Sequence, residues 1–243
     1  VPKDIDVSAL GIESAELYEK GDIYGAIKLQ EKYVKYEPKD LTSRYILGCM
    51  YLEIQKISKA SDHFEFVIKH DMKHIQAREK LAKCHILMKQ PQMALVEYNY
   101  ILQNDPSNIE IRKKVIDLYQ ELGDIDIAIA ELQKLISSLN GDVNYRKQLA
   151  NLYLVKKRYF EAINEFEAVL QVEEDDEITR KLASVYNIVQ KYDKSIEKYC
   201  ELIEKNGHNH ELLAQLADVY VNKECFDDAI KVLEQIQTIK PGN

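Results

Sequence analysis

The residues in this chain that could do chemistry fall into a few small groups. His63, His70, Asp71 and His74 lie close enough in sequence to gather a metal at one turn, and His208 with His210 is a smaller example. Both are expected to be solvated turn residues. Glu173-Glu174-Asp175-Asp176-Glu177 offers five adjacent carboxylates, the donors calcium takes. It lacks the spaced oxygen ligands and turn glycine of an EF-hand loop. Its place just before a helix suits the helix dipole, so a solvated acidic turn is expected. Cys49, Cys84, Cys200 and Cys225 form no C-x-x-C pair, which argues against structural zinc or a redox dithiol. They read as free, mostly buried thiols of a reducing compartment. That points to a cytoplasmic protein, with a periplasmic or membrane-tethered parent as the alternative.

No phosphate-binding glycine loop, H-E-x-x-H or G-x-S-x-G occurs in the sequence. The 41 acidic residues single out no catalytic pair. The chain is therefore expected not to be an enzyme, with no catalytic residue, cofactor or metal. Net charge is −8, which disfavours binding nucleic acid through a basic surface. No apolar run approaches the ~20 residues a membrane span needs. The chain opens Val1-Pro2 without Met and stops at Pro241-Gly242-Asn243. Both ends read as cut, so it is expected to be a fragment of a longer protein.

The elements that position side chains come from an internal ruler. Ala26, Ala60, Ala94, Ala128, Ala162, Ser195 and Ala229 follow one another at 34, 34, 34, 34, 33 and 34 residues. A second ladder, Leu17, Tyr51, His85, Tyr119, Tyr153, Tyr186 and Tyr220, keeps the same spacings. So do Ser14, Gly48, Ala82, Ile116, Ala150, Ala183 and Ala217, and so do Gln30, Phe64, Tyr98, Leu132, Phe166, Tyr199 and Leu233. Leu149, Leu152 and Tyr153 show the helical period. With 46% hydrophobic residues, 30% charged, 8 Gly and 5 Pro, the composition favours helix. In the fifth repeat the two helices are expected at about 143–156 and 159–172, with Ala150 facing Ala162. Asp40, Asn108, Asp142 and Asn209 are candidate N-caps. Gly21-Asp22 and Gly123-Asp124 read as a stop followed by a cap, and Pro91 fits a first helical turn.

A period near 34 with small, aromatic, small and terminal Pro positions resembles the tetratricopeptide repeat (TPR). The resemblance covers about residues 7–241. Arg44, Arg78, Arg112 and Arg146 stand where the family carries a first-helix Trp, which this chain lacks throughout. Each arginine stem is expected to lie along a neighbouring helix, its guanidinium meeting the carbonyl end of the previous repeat. The resemblance implies an all-α, right-handed superhelical solenoid of about seven helix-turn-helix repeats. They would form a single domain over 1–243, with repeats at 7–40, 41–74, 75–108, 109–142, 143–175, 176–209 and 210–243. A helix pair cannot bury its apolar face alone, so stacking supplies the core. The last helix, about 226–239, reads as an internal one. That predicts a chain continuing past Asn243 or an end packed on another molecule, and self-association through terminal repeats.

In this family first helices line a concave groove that takes partner peptides, so the resemblance implies a protein–protein interaction scaffold. The alternative is the regulatory or substrate-presenting region of a larger enzyme or assembly machine. Residues four apart on first helices give Glu79/Lys83 and Lys113/Asp117, which cancel, whereas Lys147 and Arg180 read as uncompensated. Asn151, Ser184 and Asn187 add peptide-bonding groups beside them, and Leu154 and Ile188 add apolar contact. The expected site is thus Lys147, Asn151, Arg180, Ser184, Asn187 and Leu154, with Lys113 nearby, and the expected partner an acidic or carboxylate-bearing peptide. Lys147 and Asn151 resemble one half of the carboxylate clamp of chaperone-binding members. Lys181, Glu211 and Gln215 break the rest of that pattern, which argues against a chaperone-tail receptor.

Overall fold

The computed structural model describes residues 6–207 and 209–239. Those residues form fourteen helices and no strand. The chain divides into two compact units that meet at Asp124 and Ile125. The first holds α1 (Val7–Glu19), α2 (Ile23–Tyr36), α3 (Leu41–Glu53), α4 (Ile57–His70), α5 (Ile75–Leu87), α6 (Pro91–Asn104) and α7 (Ile109–Leu122). The second holds α8 (Ile125–Ser138), α9 (Val143–Val155), α10 (Tyr159–Leu170), α11 (Asp176–Ile188), α12 (Tyr192–Asn206), α13 (His210–Asn222) and α14 (Phe226–Ile239). Within each unit every helix packs on the one before and the one after it, as in TPR solenoids.

Local chemistry sets the helix ends. The Asp40 carboxylate accepts from the Thr42 amide at 3.0 Å, Asn108 from Ile111 at 3.0 Å, Asp142 from Asn144 at 2.9 Å and Asn209 from Glu211 at 2.9 Å. All four expected N-caps are therefore formed, each filling an amide orphaned by the helix start. Asp22 caps α2 through the Gly25 amide at 2.9 Å, and Pro91 opens α6. The turn after each first helix needs a left-handed residue. Gly21 and Gly123 supply it without strain, but Gln55, Lys89, Lys157, Gln190 and Glu224 take it too, with φ of 56–63°. Only the two glycine positions were visible as turn signals in the sequence.

The ladders are the packing. The small residues Ala26, Ala60, Ala94, Ala128, Ala162 and Ser195 are fully buried. Ser14 donates to the Ala26 carbonyl at 2.9 Å, and Ser195 to the Ala183 carbonyl at 2.8 Å, so the two helices of a hairpin touch where the small residues face each other. Phe64, Leu132 and Phe166 are 0% exposed between repeats. Such burial contributes ~1.5–3 kcal/mol per side chain. The tyrosine ladder carries a hydrogen bond that the sequence reading missed. Tyr51 bonds Glu31, Tyr119 bonds Asn99 at 3.4 Å, Tyr153 bonds Gln133 at 2.9 Å and Tyr186 bonds Glu167. A polar residue 20 or 19 positions before each tyrosine was the available signal.

Candidate functional site

The first helices α9 and α11 of the second unit carry six of the seven expected site residues, and α13 packs next in the series. Asp142 caps α9 and so fixes Lys147 and Asn151 four residues apart on one face. Asp175 caps α11, accepting from the Ile178 amide at 3.0 Å, and sets Arg180, Ser184 and Asn187. Bonds between neighbouring first helices stitch the face together. Lys181 donates to the Asn151 side-chain oxygen at 3.3 Å, Arg180 reaches Glu211 at 3.4 Å and Asn222 donates to Asn187 at 3.1 Å. Ser184 bonds the Tyr199 hydroxyl at 2.8 Å. Leu154 is half-buried and Ile188 is exposed. Lys113 belongs to the first unit, where it pairs with Glu110 at 2.9 Å.

The charge of this face needs correction. Lys147, read as uncompensated, bonds Asp175 at 2.5 Å and Glu173 at 2.7 Å. Asp175 and then Glu173 stabilise its ammonium and raise its pKa above the usual lysine value. Arg180 is also paired, though at 3.4 Å the contact to Glu211 exceeds the ~2.7–2.9 Å of a strong charge-assisted bond. Asp218 is exposed on α13 without an ion pair among the described residues. The face is therefore mixed in charge rather than basic. The partners of Lys147 sit in the next inter-repeat turn, outside the reach of any helix-face pairing rule. In the first unit, likewise, Glu79 of α5 pairs with Lys114 of α7.

Two polar atoms on this face have no partner. Arg180 Nε and Gln215 Oε1 are shielded from solvent, and neither finds a hydrogen bond among the described residues. One is a donor on α11 and the other an acceptor on α13. An unsatisfied shielded group of this kind costs ~1–3 kcal/mol. Sequence reasoning could place both residues on first helices but could not show them unpaired.

The remaining clusters resolve into structure. The acidic run is matched by lysines: Glu173 and Asp175 with Lys147, Glu174 and Asp176 with Lys205, and Glu177 with Lys181. His74 Nδ1 accepts from the Ala77 amide at 3.2 Å as the cap of α5, and His70 bonds the Phe66 carbonyl. Among the described residues no group of three or more His, Cys, Asp or Glu is placed to hold a metal; His208 lies outside them. The arginine ladder binds turn carbonyls of the preceding repeat: Arg44 to Pro38 at 2.7 Å, Arg78 to Met72 at 3.0 Å, Arg112 to Pro106 at 2.6 Å and Arg146 to Gly141 at 3.2 Å. Arg44 and Arg78 also lie over the rings of Phe66 and Tyr100. The four cysteines are free, with Cys84 buried and the others half-buried. No helix among the described residues is long and apolar enough to cross a membrane.

The end helices differ. α1 exposes Glu13 and Glu16, whereas the equivalent Leu47 and Met50 of α3 are buried. α14 leaves Phe226, Ile230 and Leu233 exposed, although the residues equivalent to Leu233 in the five preceding repeats are at most 2% exposed.

Residues 210–243 match the family model of the tetratricopeptide repeat. No curated protein matches the sequence. Among solved structures, a tetratricopeptide repeat protein from Parabacteroides merdae is similar over 96% of this chain and 93% of its own, at 17% identity and a TM-score of 0.57. YrrB, a TPR protein with an unusual peptide-binding site, is similar over 71% of this chain and 89% of its own, at 16% identity and a TM-score of 0.56. A chain of Naa15/Naa10 bound to HypK-THB is similar over 98% of this chain and 37% of its own, at 12% identity and a TM-score of 0.76. At these identities the likeness is one of fold.

Proposed function

Because the chain carries a tetratricopeptide repeat at 210–243 and has the fold of such proteins, we propose that it is a protein–protein interaction scaffold. Its second unit would take a partner peptide across α9, α11 and α13. The observation that carries this reading is the pair of unsatisfied atoms, Arg180 Nε and Gln215 Oε1. A peptide group supplies the acceptor that one needs and the donor that the other needs. The loose contact to Glu211 leaves Arg180 able to turn toward such a ligand. A carboxylate on the partner would then meet Arg180, while Lys147 stays with Asp175 and Glu173 as part of the scaffold. YrrB, described as peptide-binding, supports the general reading without locating the site. Self-association would use the apolar face of α14 rather than the acidic face of α1.

The likeness to a long chain of the Naa15/Naa10 assembly favours a second reading, in which this region serves a larger complex. The test is capture from source lysate with wild type, Arg180→Ala and Gln215→Leu, followed by titration of the captured partner. Weakening by about tenfold in either variant supports the site. Equal capture and affinity in all three proteins would place binding elsewhere.

A further inference from the structure

The hairpin turns of the second unit form an edge that borders the peptide face at Asn187 and Ile188 and does not include Arg180 or Gln215. Val155 ends α9, Phe160 lies in the first turn of α10, Ile188 ends α11 and Val221 lies near the end of α13. They are 65%, 60%, 56% and 45% exposed. Scattered exposed apolar side chains are ordinary, whereas a contiguous set marks an interaction surface. Three contacts join the turns into one row. The Lys191 ammonium lies 5.5 Å from the Phe160 ring centroid, Asn222 donates to Asn187 at 3.1 Å, and Lys223 pairs with Asp193 at 2.6 Å.

Charge divides this edge. Lys156 is neutralised by Asp126 at 2.7 Å and Arg158 by Glu161 at 2.9 Å. Among the described residues neither Lys157 nor Lys191 makes an ion pair, and the Lys191 ammonium faces the Phe160 ring. The first two turns therefore set uncompensated positive charge among Val155, Phe160 and Ile188. Glu224 and Asp227, at the third turn, are exposed without an ion pair among the described residues. In the first unit, three of the four positions equivalent to Val155 carry Glu19, Glu53 and Glu121. The fourth is Leu87, so no two neighbouring turns of the first unit set apolar side chains at this position, as the second unit does with Val155 and Ile188.

We propose that this edge docks an acidic segment of a partner protein. Its large apolar side chains would cover Val155, Phe160 and Ile188, and its carboxylates would meet Lys157 and Lys191. Apolar burial supplies affinity, and the charge sets orientation and speeds encounter. The negative third turn fixes polarity, with the segment's acidic end over the first two turns. The inference rests on the scaffold reading of the chain but not on the Arg180 site.

The test is fluorescence anisotropy with a labelled twelve-residue peptide of Asp and Glu interspersed with Phe and Leu. One counterpart replaces its acids with Lys, and another replaces its Phe and Leu with Ala. The acidic, apolar peptide is expected to bind at least about tenfold more tightly than either counterpart. Ile188→Asp, and Lys157→Glu with Lys191→Glu, are each expected to weaken it by about tenfold at unchanged circular dichroism and melting temperature. Lys134→Ala, at an exposed lysine of α8 that pairs with Glu131 at 2.6 Å, is expected to bind it as wild type does. Counterparts that bind equally well overturn the proposal. So does binding to phosphatidylserine vesicles in place of the peptide, which would make the edge lipid-facing. Loss in Arg180→Ala but not in the edge variants would return the ligand to the first-helix face and also overturn it.

Discussion

Gly48→Ala puts the close approach of the helices in one hairpin to a direct test. A Cβ at Gly48 would lie 2.8 Å from Phe64 Cε1, 3.0 Å from Cζ and 3.1 Å from Cδ1, well inside van der Waals contact. Phe64 is 0% exposed, and the Tyr45 ring packs against it with centroids 5.8 Å apart, so the phenyl ring has little room to retreat. Overpacking of this kind costs ~1–3 kcal/mol. Replacing a helical glycine by alanine at an unobstructed site gains ~0.8–1 kcal/mol. The expected net effect is a destabilisation of about 1 kcal/mol. Gly11 provides the control, because its added Cβ would meet Tyr33 at 3.5 Å, an ordinary contact. Gly11→Ala should therefore stabilise by ~0.8–1 kcal/mol. Urea unfolding followed by circular dichroism measures both. The clash is with the Phe64 ring alone, so Phe64→Leu should relieve much of the Gly48→Ala penalty. A Gly48→Ala protein as stabilised as Gly11→Ala would refute the steric reasoning.

Arg78→Ala should destabilise by ~3 kcal/mol in urea, because Arg78 and Glu97 are 9% and 13% exposed and the carboxylate would lose its partner. Arg78→Lys should fall between, keeping charge but losing the planar fork that also serves the Met72 carbonyl. Lys147, with the Ile178 amide, holds Asp175 below its ordinary value of 3.8, so its stabilisation is full above that pH and lost as pH falls through the lowered value. Asp175→Asn keeps the cap but not the charge; its urea midpoint should therefore converge on that of wild type on acidification below pH 3.8. Burial pushes the Cys84 thiol up to about 11 and encloses it, so iodoacetamide at neutral pH should label it only after unfolding, as read by peptide mass spectrometry.

Much of the fold was legible because its determinants are local and repeated. Asp40, Asn108, Asp142 and Asn209 cap helices a few residues away, and the small-residue ladder follows from a hairpin that recurs every 34 or 33 residues. The arginine ladder was legible for the same reason, each guanidinium reaching a carbonyl five or six residues back. The candidate site was only half legible. Counting along the chain puts Lys147 and Asn151 on α9 and Arg180 and Ser184 on α11, but charge compensation there is not along a face. Lys147 finds its carboxylates in the turn 26 and 28 residues onward, and Arg180 finds Glu211 31 residues onward.

The sequence by itself determined the helices, their period and their capped ends, because hydrophobic periodicity and capping act over one or two turns of chain. Only the tertiary structure decided which charges are spent and which polar atoms are left over. Among the described residues Arg180 Nε and Gln215 Oε1 find no partner and Lys147 meets two carboxylates, because neighbouring repeats set those groups near one another. Coulombic and hydrogen-bond pairing depend on separation in space, and stacked repeats bring together residues about thirty positions apart in the chain.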